Sequence, residues 1–318
     1  MGNLSVGTLV LLLSALVVSA GWGQGTLILS GGEDKTVKVW DLEGALVFDS
    51  AVGEEAITAL AVKPDYSTVV VGTAEGKIIF GDVVSESIVR SIEAHQAAVT
   101  VLRFNREGKL LVSGAADGTL KLWDAASGEL KAETTAHTGA VNAAAFTADS
   151  SMIVTGGADH MGKVWDLLLG YTVGEETIHE GAVTAVEINP DGTLAATAGE
   201  DGYVRLWDTT GADLLRAIKA HEKAVKALAF SPGGKTLASA GADGTVKLWQ
   251  PLQGELVREW EAHKGAINAV VFTPDGKTLV TAGADGTVKL WQVESGRERL
   301  TLTGHMGAVN AVAVLVVP

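Results

Sequence analysis

The 318-residue chain carries 24 Lys and Arg against 38 Asp and Glu, a formal charge of −14, and it has no basic run suited to a nucleic-acid backbone or an anionic lipid surface. The absence of cysteine excludes disulfides, thiol nucleophiles and Cys-ligated zinc. Hydrophobic residues make up 47%, aromatics only 5%, and there are 39 glycines, a balance suited to many short strands joined by tight turns.

The first charged side chain is Glu33, and residues 4–20 form an apolar run interrupted only by Ser5, Gly7, Thr8, Ser14 and Ser19. At a rise of 1.5 Å per residue such a run spans about 26 Å as a helix, the short limit for crossing a bilayer. Trp22 would then sit at the interface. Residues 1–22 are therefore expected to be a membrane anchor or a signal peptide; Val18-Ser19-Ala20 has the small residues of a cleavage site, but the usual preceding basic residue is missing. An extra buried strand is the third alternative. No Lys or Arg precedes Lys35, so little positive charge holds the flank in the cytoplasm, which favours an extracytoplasmic location for the rest of the chain.

Residues 26–29, 36–40 and 45–48 read as three short strands, and Ser30, Asp34 and Trp40 fall among them. The next unit is irregular: Gly53, Val71, Glu75 and Gly81 stand where later units place His, a hydroxyl, Asp and Trp. Phe80 lies one residue before that last position and is expected to fill the gap. From there the chain keeps a fixed step. His95, His137, His179, His221, His263 and His305 stand 42 residues apart, and Trp123, Trp165, Trp207, Trp249 and Trp291 keep the same interval. A period in the forties marks a recurring supersecondary unit.

One unit shows its contents. After His221, residues 224–230 read as a strand and Ser231-Pro232-Gly233-Gly234-Lys235 as a turn. Residues 236–239 form a second strand, Ala242-Asp243-Gly244 a hairpin signal, and residues 245–249 a third strand alternating with period two. Gly254 turns the chain into a fourth strand over 255–260. Four short antiparallel strands per unit point to propeller blades.

Trp40-Asp41, Trp123-Asp124, Trp165-Asp166 and Trp207-Asp208 each close a third strand, Trp123 and Trp207 behind Asp-Gly-type turns and all but Trp40 behind an upstream His; Trp249-Gln250 and Trp291-Gln292 depart only in the second residue. On these residues the chain resembles the WD-repeat (WD40) β-propeller family over about residues 25–318. The resemblance implies an all-β propeller whose recurring set is a hydrogen-bonded chain from the Trp indole through hydroxyl and imidazole to carboxylate. The sets are His95/Ser113/Asp117/Trp123, His137/Thr155/Asp159/Trp165, His179/Thr197/Asp201/Trp207, His221/Ser239/Asp243/Trp249 and His263/Thr281/Asp285/Trp291. They imitate a Ser-His-Asp triad, but five copies of an active site around one ring serve no enzyme, so a structural role is expected.

Ser30, Asp34 and Trp40 lack a preceding His, while His305 has nothing after it to serve. Residues 308–314 match a first strand. The C-terminus is therefore expected to complete the N-terminal blade, closing seven blades over residues 23–318. A rival closure uses residues 16–20 as that strand.

Little else suggests chemistry. Gly157 to Lys163 has phosphate-loop spacing, but Val164 stands where Ser or Thr should hold magnesium and no helix follows. No cofactor or metal site is expected. Surface candidates are the apolar stretch Leu167, Leu168, Leu169 and Tyr171, the outer-strand Trp260, and Lys223 and Lys264 beside the repeat histidines. The expectation is a non-catalytic protein–protein interaction scaffold, an anchored accessory subunit of a membrane assembly. The alternatives are an exported receptor for a small ligand or glycan, and a propeller enzyme with channel-facing carboxylates, for which Glu187 and Arg103 are the notable charged residues on first strands.

Overall fold

The computed structural model describes residues 25–317, apart from positions 84, 86, 168–170 and 211–212. These residues form seven antiparallel sheets of four strands each, one sheet per blade of a seven-bladed β-propeller. Strands are lettered a to d from the central channel outward. Blade 1 takes its a strand from Val309–Val317 and its b, c and d strands from Gly25–Gly32, Thr36–Asp41 and Leu46–Ala51. Blade 2 runs from Ile57–Val62 through Thr68–Thr73 and Lys77–Asp82 to Ser87–Glu93. Blades 3 to 7 occupy residues 99–135, 141–177, 183–219, 225–261 and 267–303.

Closure is made by the C-terminal strand. Gly25–Gly32 pairs along its whole length with Val309–Val317, from Gly25 opposite Val317 to Gly32 opposite Val309. This ladder occupies the slot for which residues 16–20 were the rival; that stretch lies outside the described residues. So do residues 4–20, the expected anchor, and among the described residues no helix is long and apolar enough to cross a membrane.

The core is a ring of inter-blade clusters. Period-two alternation on each c strand sends Trp toward the preceding blade and its predecessor toward the following one. Trp40 packs with Val280, Val288 and Leu290 of blade 7, whereas Val39 packs with Ile57, Leu60 and Ile79 of blade 2. The same alternation corrects the expectation for Phe80. It is buried against Val99, Leu102 and Trp123 on the blade 3 side, so it cannot fill a gap that Gly81 leaves on the blade 1 side.

A second ring of polar links ties the a strands together. Thr58 donates to the Val99 carbonyl at 2.6 Å, Thr100 to Val141, Asn142 to Val183 at 2.9 Å and Thr184 to Val225 at 2.5 Å. Asn268 donates to Val309 at 3.0 Å, and Asn310 donates to Ile57 at 2.9 Å, crossing the closure. Lys226 holds the equivalent place between blades 6 and 7, where its exposed side chain borders the channel. Lys226→Asn is expected to complete the ring and raise stability by about 1 kcal/mol. A thermal melt of the variant beside wild type checks this; an unchanged or lower Tm would show that the sixth junction has no use for the link.

Candidate functional site

The loops that carry the repeat histidines and the b–c turns form one face of the ring. Each b–c turn needs a residue with positive φ. Gly118 and Gly244 supply it, both at φ 81°, and a Cβ there would meet the carbonyl oxygen of His137 or His263 at 2.3 or 2.4 Å. In blade 4 His160 takes that place at φ 68°, in the turn between two strands. The stretch from Gly157 to Lys163 is therefore a hairpin like its counterparts and not a phosphate loop.

Beneath these turns lie the polar chains. In every blade but the second, the Trp Nε1–H donates to a buried hydroxyl at 2.9 to 3.0 Å: Trp40 to Ser30, Trp123 to Ser113, Trp165 to Thr155, Trp207 to Thr197, Trp249 to Ser239 and Trp291 to Thr281. The hydroxyl in turn sits 2.7 to 3.0 Å from the Nε2 of His305, His95, His137, His179, His221 or His263. Having accepted from the indole, it donates its own proton to Nε2. Except in the fifth blade, where Arg205, a donor only, stands 2.5 Å from His179 Nδ1, this leaves the hydrogen on Nδ1. That Nδ1 lies 2.8 Å from Asp159, 2.9 Å from Asp201, 3.1 Å from Asp243, and 3.0 Å from Asp285 and Asp34.

Blade 3 departs from the expected set. His95 Nδ1 lies 2.6 Å from Thr119 Oγ1 and 3.9 Å from Asp117. The Thr119 hydroxyl relays the contact, donating to Asp117 at 2.6 Å. The short reach of threonine from the neighbouring c strand wins over the carboxylate.

Five of the six Asp also accept from the backbone N–H following a repeat His: Asp34 from Met306, Asp117 from Gln96, Asp159 from Thr138, Asp201 from Glu180 and Asp285 from Lys264. Turn and loop are thus locked together. Burial opposes the charge on Asp201, but hydrogen bonds from the Tyr203 backbone, Arg205 and His179 outweigh it and hold its pKa at about 2. Asp34, Asp159, Asp243 and Asp285 are held low in the same way. For the imidazoles, desolvation dominates. It lowers His137, His179, His221 and His263, and brings His95 to about 4, with the nearby aspartates pulling in the opposite direction.

Blade 2 replaces the set with an ion pair that sequence comparison overlooked. Glu55, two residues beyond the His position, accepts from Thr73 and from Lys77, each at 2.5 Å, and its side chain is 9% exposed. The two partners flank the b–c turn, so a carboxylate and an ammonium do what imidazole and Asp do elsewhere.

The central channel has a volume of about 560 Å³ and is lined by small residues such as Ala61, Ala229 and Ala313. Arg103 of blade 3 crosses it to Glu187 of blade 5 at 2.9 Å. A quarter of the Glu187 side chain meets channel solvent, yet the enclosing ring raises its pKa, with Arg103 opposing. Among the described residues no group of three or more His, Asp or Glu is arranged to hold a metal ion.

The surface candidates separate. Lys223 and Lys264 are exposed on the His-loop face, as are Gln96, Glu180 and Met306, the last 94% exposed. Trp260 is half-buried, its ring 5.7 Å from that of Trp291 in the next blade, so its contact belongs to a blade junction. Leu167 is likewise half-buried, packed with Trp165 and its neighbours. Leu168, Leu169 and the side chain of Tyr171 lie outside the described residues.

With this geometry the comparisons agree. The family model described as WD domain, G-beta repeat, matches residues 18–41, 86–124, 128–166, 171–208, 212–250 and 254–292. These segments cover more than half of the chain, which belongs to the WD-repeat family. The longest unmatched internal stretch, 42–85, holds the first three strands of the blade that lacks the His and Trp. No curated protein matches the chain. Propellers of this family are typically non-catalytic scaffolds that bind other proteins.

His137→Ala is expected to destabilise the fold by about 1–3 kcal/mol, because it strands the Thr155 hydroxyl and Asp159. Urea titration measures this, and a loss below a few tenths of a kcal/mol would show that water replaces the ring freely. Acid acts on His95, His137, His179, His221 and His263. The unfolded histidines take up protons below pH 6.5, while the folded ones, with lowered pKa values, resist until nearer 4 in the case of His95. Stability is therefore expected to fall as pH drops from about 6.5 toward 4, before the aspartates begin to protonate. Calorimetry across that range checks it, and a flat Tm between pH 6.5 and 5 would contradict buried, neutral imidazoles.

Proposed function

We propose that the chain is a non-catalytic scaffold that presents its His-loop face to partner proteins, as an accessory subunit of a membrane assembly. The observation that carries this reading is the division between inside and surface. The His, hydroxyl and carboxylate groups that mimic catalytic sets are consumed within the blades, whereas the side chains one residue further on, Gln96, Thr138, Glu180, Lys264 and Met306, stand exposed around the rim. That rim mixes cations at Lys223 and Lys264 with acids at Glu33, Glu180, Glu200 and Glu222 and an apolar knob at Met306. Such a surface suits the polar border and apolar centre of a protein–protein contact. Short turns support the same reading, since specificity for small molecules on regular scaffolds resides in longer loops.

Attachment to a membrane rests on the apolar composition of residues 4–20 alone, and the extracytoplasmic side on the missing Lys and Arg before Lys35. An enzymatic channel finds less support, because its carboxylate Glu187 is already paired with Arg103.

The double variant Lys264→Glu with Met306→Glu changes two exposed side chains and is expected to leave the melt unchanged while reducing co-purification of bound chains at least about tenfold, a loss of 1.4 kcal/mol or more. Quantitative mass spectrometry of material purified from native membranes reads the result; full recovery of every bound chain would remove the rim from consideration. In the same preparation, a chain lacking residues 1–22 is expected to leave the membrane fraction, and its retention there would refute the anchor.

A further inference from the structure

The missing indole of blade 2 leaves a hole whose shape the other blades define. On the c strand Gly81 stands opposite Val69, in the register that places Trp123 opposite Leu111 in blade 3. A c-strand Trp packs on the preceding blade, and for Gly81 that blade is the first. A cavity of about 100 Å³ opens in this junction, with Leu29, Val39 and Phe48 of blade 1 on one side and Val69, Val71 and Ile79 of blade 2 on the other. Val71 replaces the hydroxyl that receives the indole N–H elsewhere, so the inner wall has changed from polar to apolar together with the loss of the ring. The polar lining groups, Asp82 and Ser87, lie at the end of the c strand and the start of the d strand.

Blade 2 has not lost its order along with its Trp. The Glu55–Thr73–Lys77 network holds its b–c turn, and Phe80 is buried against blade 3. The blade 2 wall is therefore braced behind an unfilled socket. The cavity is partly open to solvent and its lining is almost wholly apolar, the chemistry that takes up simple aromatic molecules. A Cβ on Gly81 would meet only the Val69 carbonyl oxygen, at 3.7 Å, so the way in from this strand is open.

We infer that the junction between blades 1 and 2 is a binding site for a single apolar aromatic ring, lodged where the repeat pattern would place an indole. A phenyl ring fits its chemistry better than indole, because with Val71 in place of Ser or Thr a buried N–H finds no acceptor at the inner wall. The ring reaches the site either as a free molecule or on the side chain of a partner.

Titration of the full chain with benzene and, separately, with N-acetylphenylalanine amide tests the inference, followed by ligand-detected NMR and by the shift in Tm. Benzene is expected to bind saturably, one per chain, and to raise Tm in proportion to its occupancy. Binding of the amide as well assigns the site to partner side chains, and binding of benzene alone assigns it to free rings. Gly81→Phe, which fills the socket from within, is expected to raise Tm and weaken benzene binding at least about tenfold. Gly81→Leu provides the same comparison with a smaller side chain should the phenyl variant fail to fold. Unsaturable benzene uptake by wild type, or undiminished affinity in a folded filling variant, overturns the inference.

Discussion

Every blade of this propeller needs a neighbour on both faces, and the ladder between Gly25–Gly32 and Val309–Val317 is what supplies the last one. Ile28, Trp40 and Val309 are at most 2% exposed because blades 1 and 7 meet. Each such side chain buried contributes about 1.5–3 kcal/mol. The ends of the chain are joined by more than backbone: Ser30 and Asp34 engage His305, Asp34 accepts from Met306, and Asn310 donates to Ile57. These links span more than 250 residues of sequence, so they form only when the ring does. Closure also pairs the strand edge that Gly25–Gly32 would otherwise expose to other chains, leaving only the short outer edges of the d strands.

The resemblance of the polar sets to a hydrolytic triad ends when their hydrogen bonds are followed. A catalytic Ser needs a hydroxyl free to attack, and its His needs a nitrogen free to take the proton. Here the hydroxyl accepts from an indole that no enzyme triad contains, as Trp165 does to Thr155. The Nε2 of His137 is spent on that hydroxyl and its Nδ1 on Asp159. The same low-dielectric surroundings that strengthen the network keep the ring neutral. An imidazole depressed in this way, fully buried, is a poor proton carrier but a good strut.

Much of this architecture was legible in the sequence because it repeats. The 42-residue step locates the strands, and the stray His305 beside a His-less first set reveals how the ring shuts. What escaped notice lay off the period or required distances. Glu55 sits two residues beyond the His position, so aligning the repeats shows only Gly53 and suggests an empty slot. The a-strand links do keep the period, but they are made by Thr at some positions and Asn at others, which share a donor rather than a shape. In blade 3 the choice between Thr119 and Asp117 turns on about an ångström of side-chain placement, beyond the reach of residue type. Thr245 and Thr287 approach Nδ1 too, at 3.0 and 3.2 Å, without displacing their aspartates. The role expected of Phe80 failed for a simpler reason: one step along a strand turns a side chain to the opposite face.

The second blade shows why such a ring tolerates a defect. In an open stack of repeats stability is close to a sum of unit and nearest-neighbour terms, so a weak unit divides the array. In a closed ring the weak unit is held from both sides, and separating it requires two junctions to open together. The loss is also confined by direction. A c-strand Trp serves the junction behind it, so Gly81 leaves one ring's worth of space in the interface with blade 1, which keeps Ile57, Leu60 and Ile79, while the interface with blade 3 retains Phe80 and Trp123. The ion pair at Glu55 then fixes the one part of the blade that the missing His would have left loose, the b–c turn. A blade that had merely decayed would be expected to lose turn and core together. This one has kept the turn, kept one face of its core, and left a hole on the other.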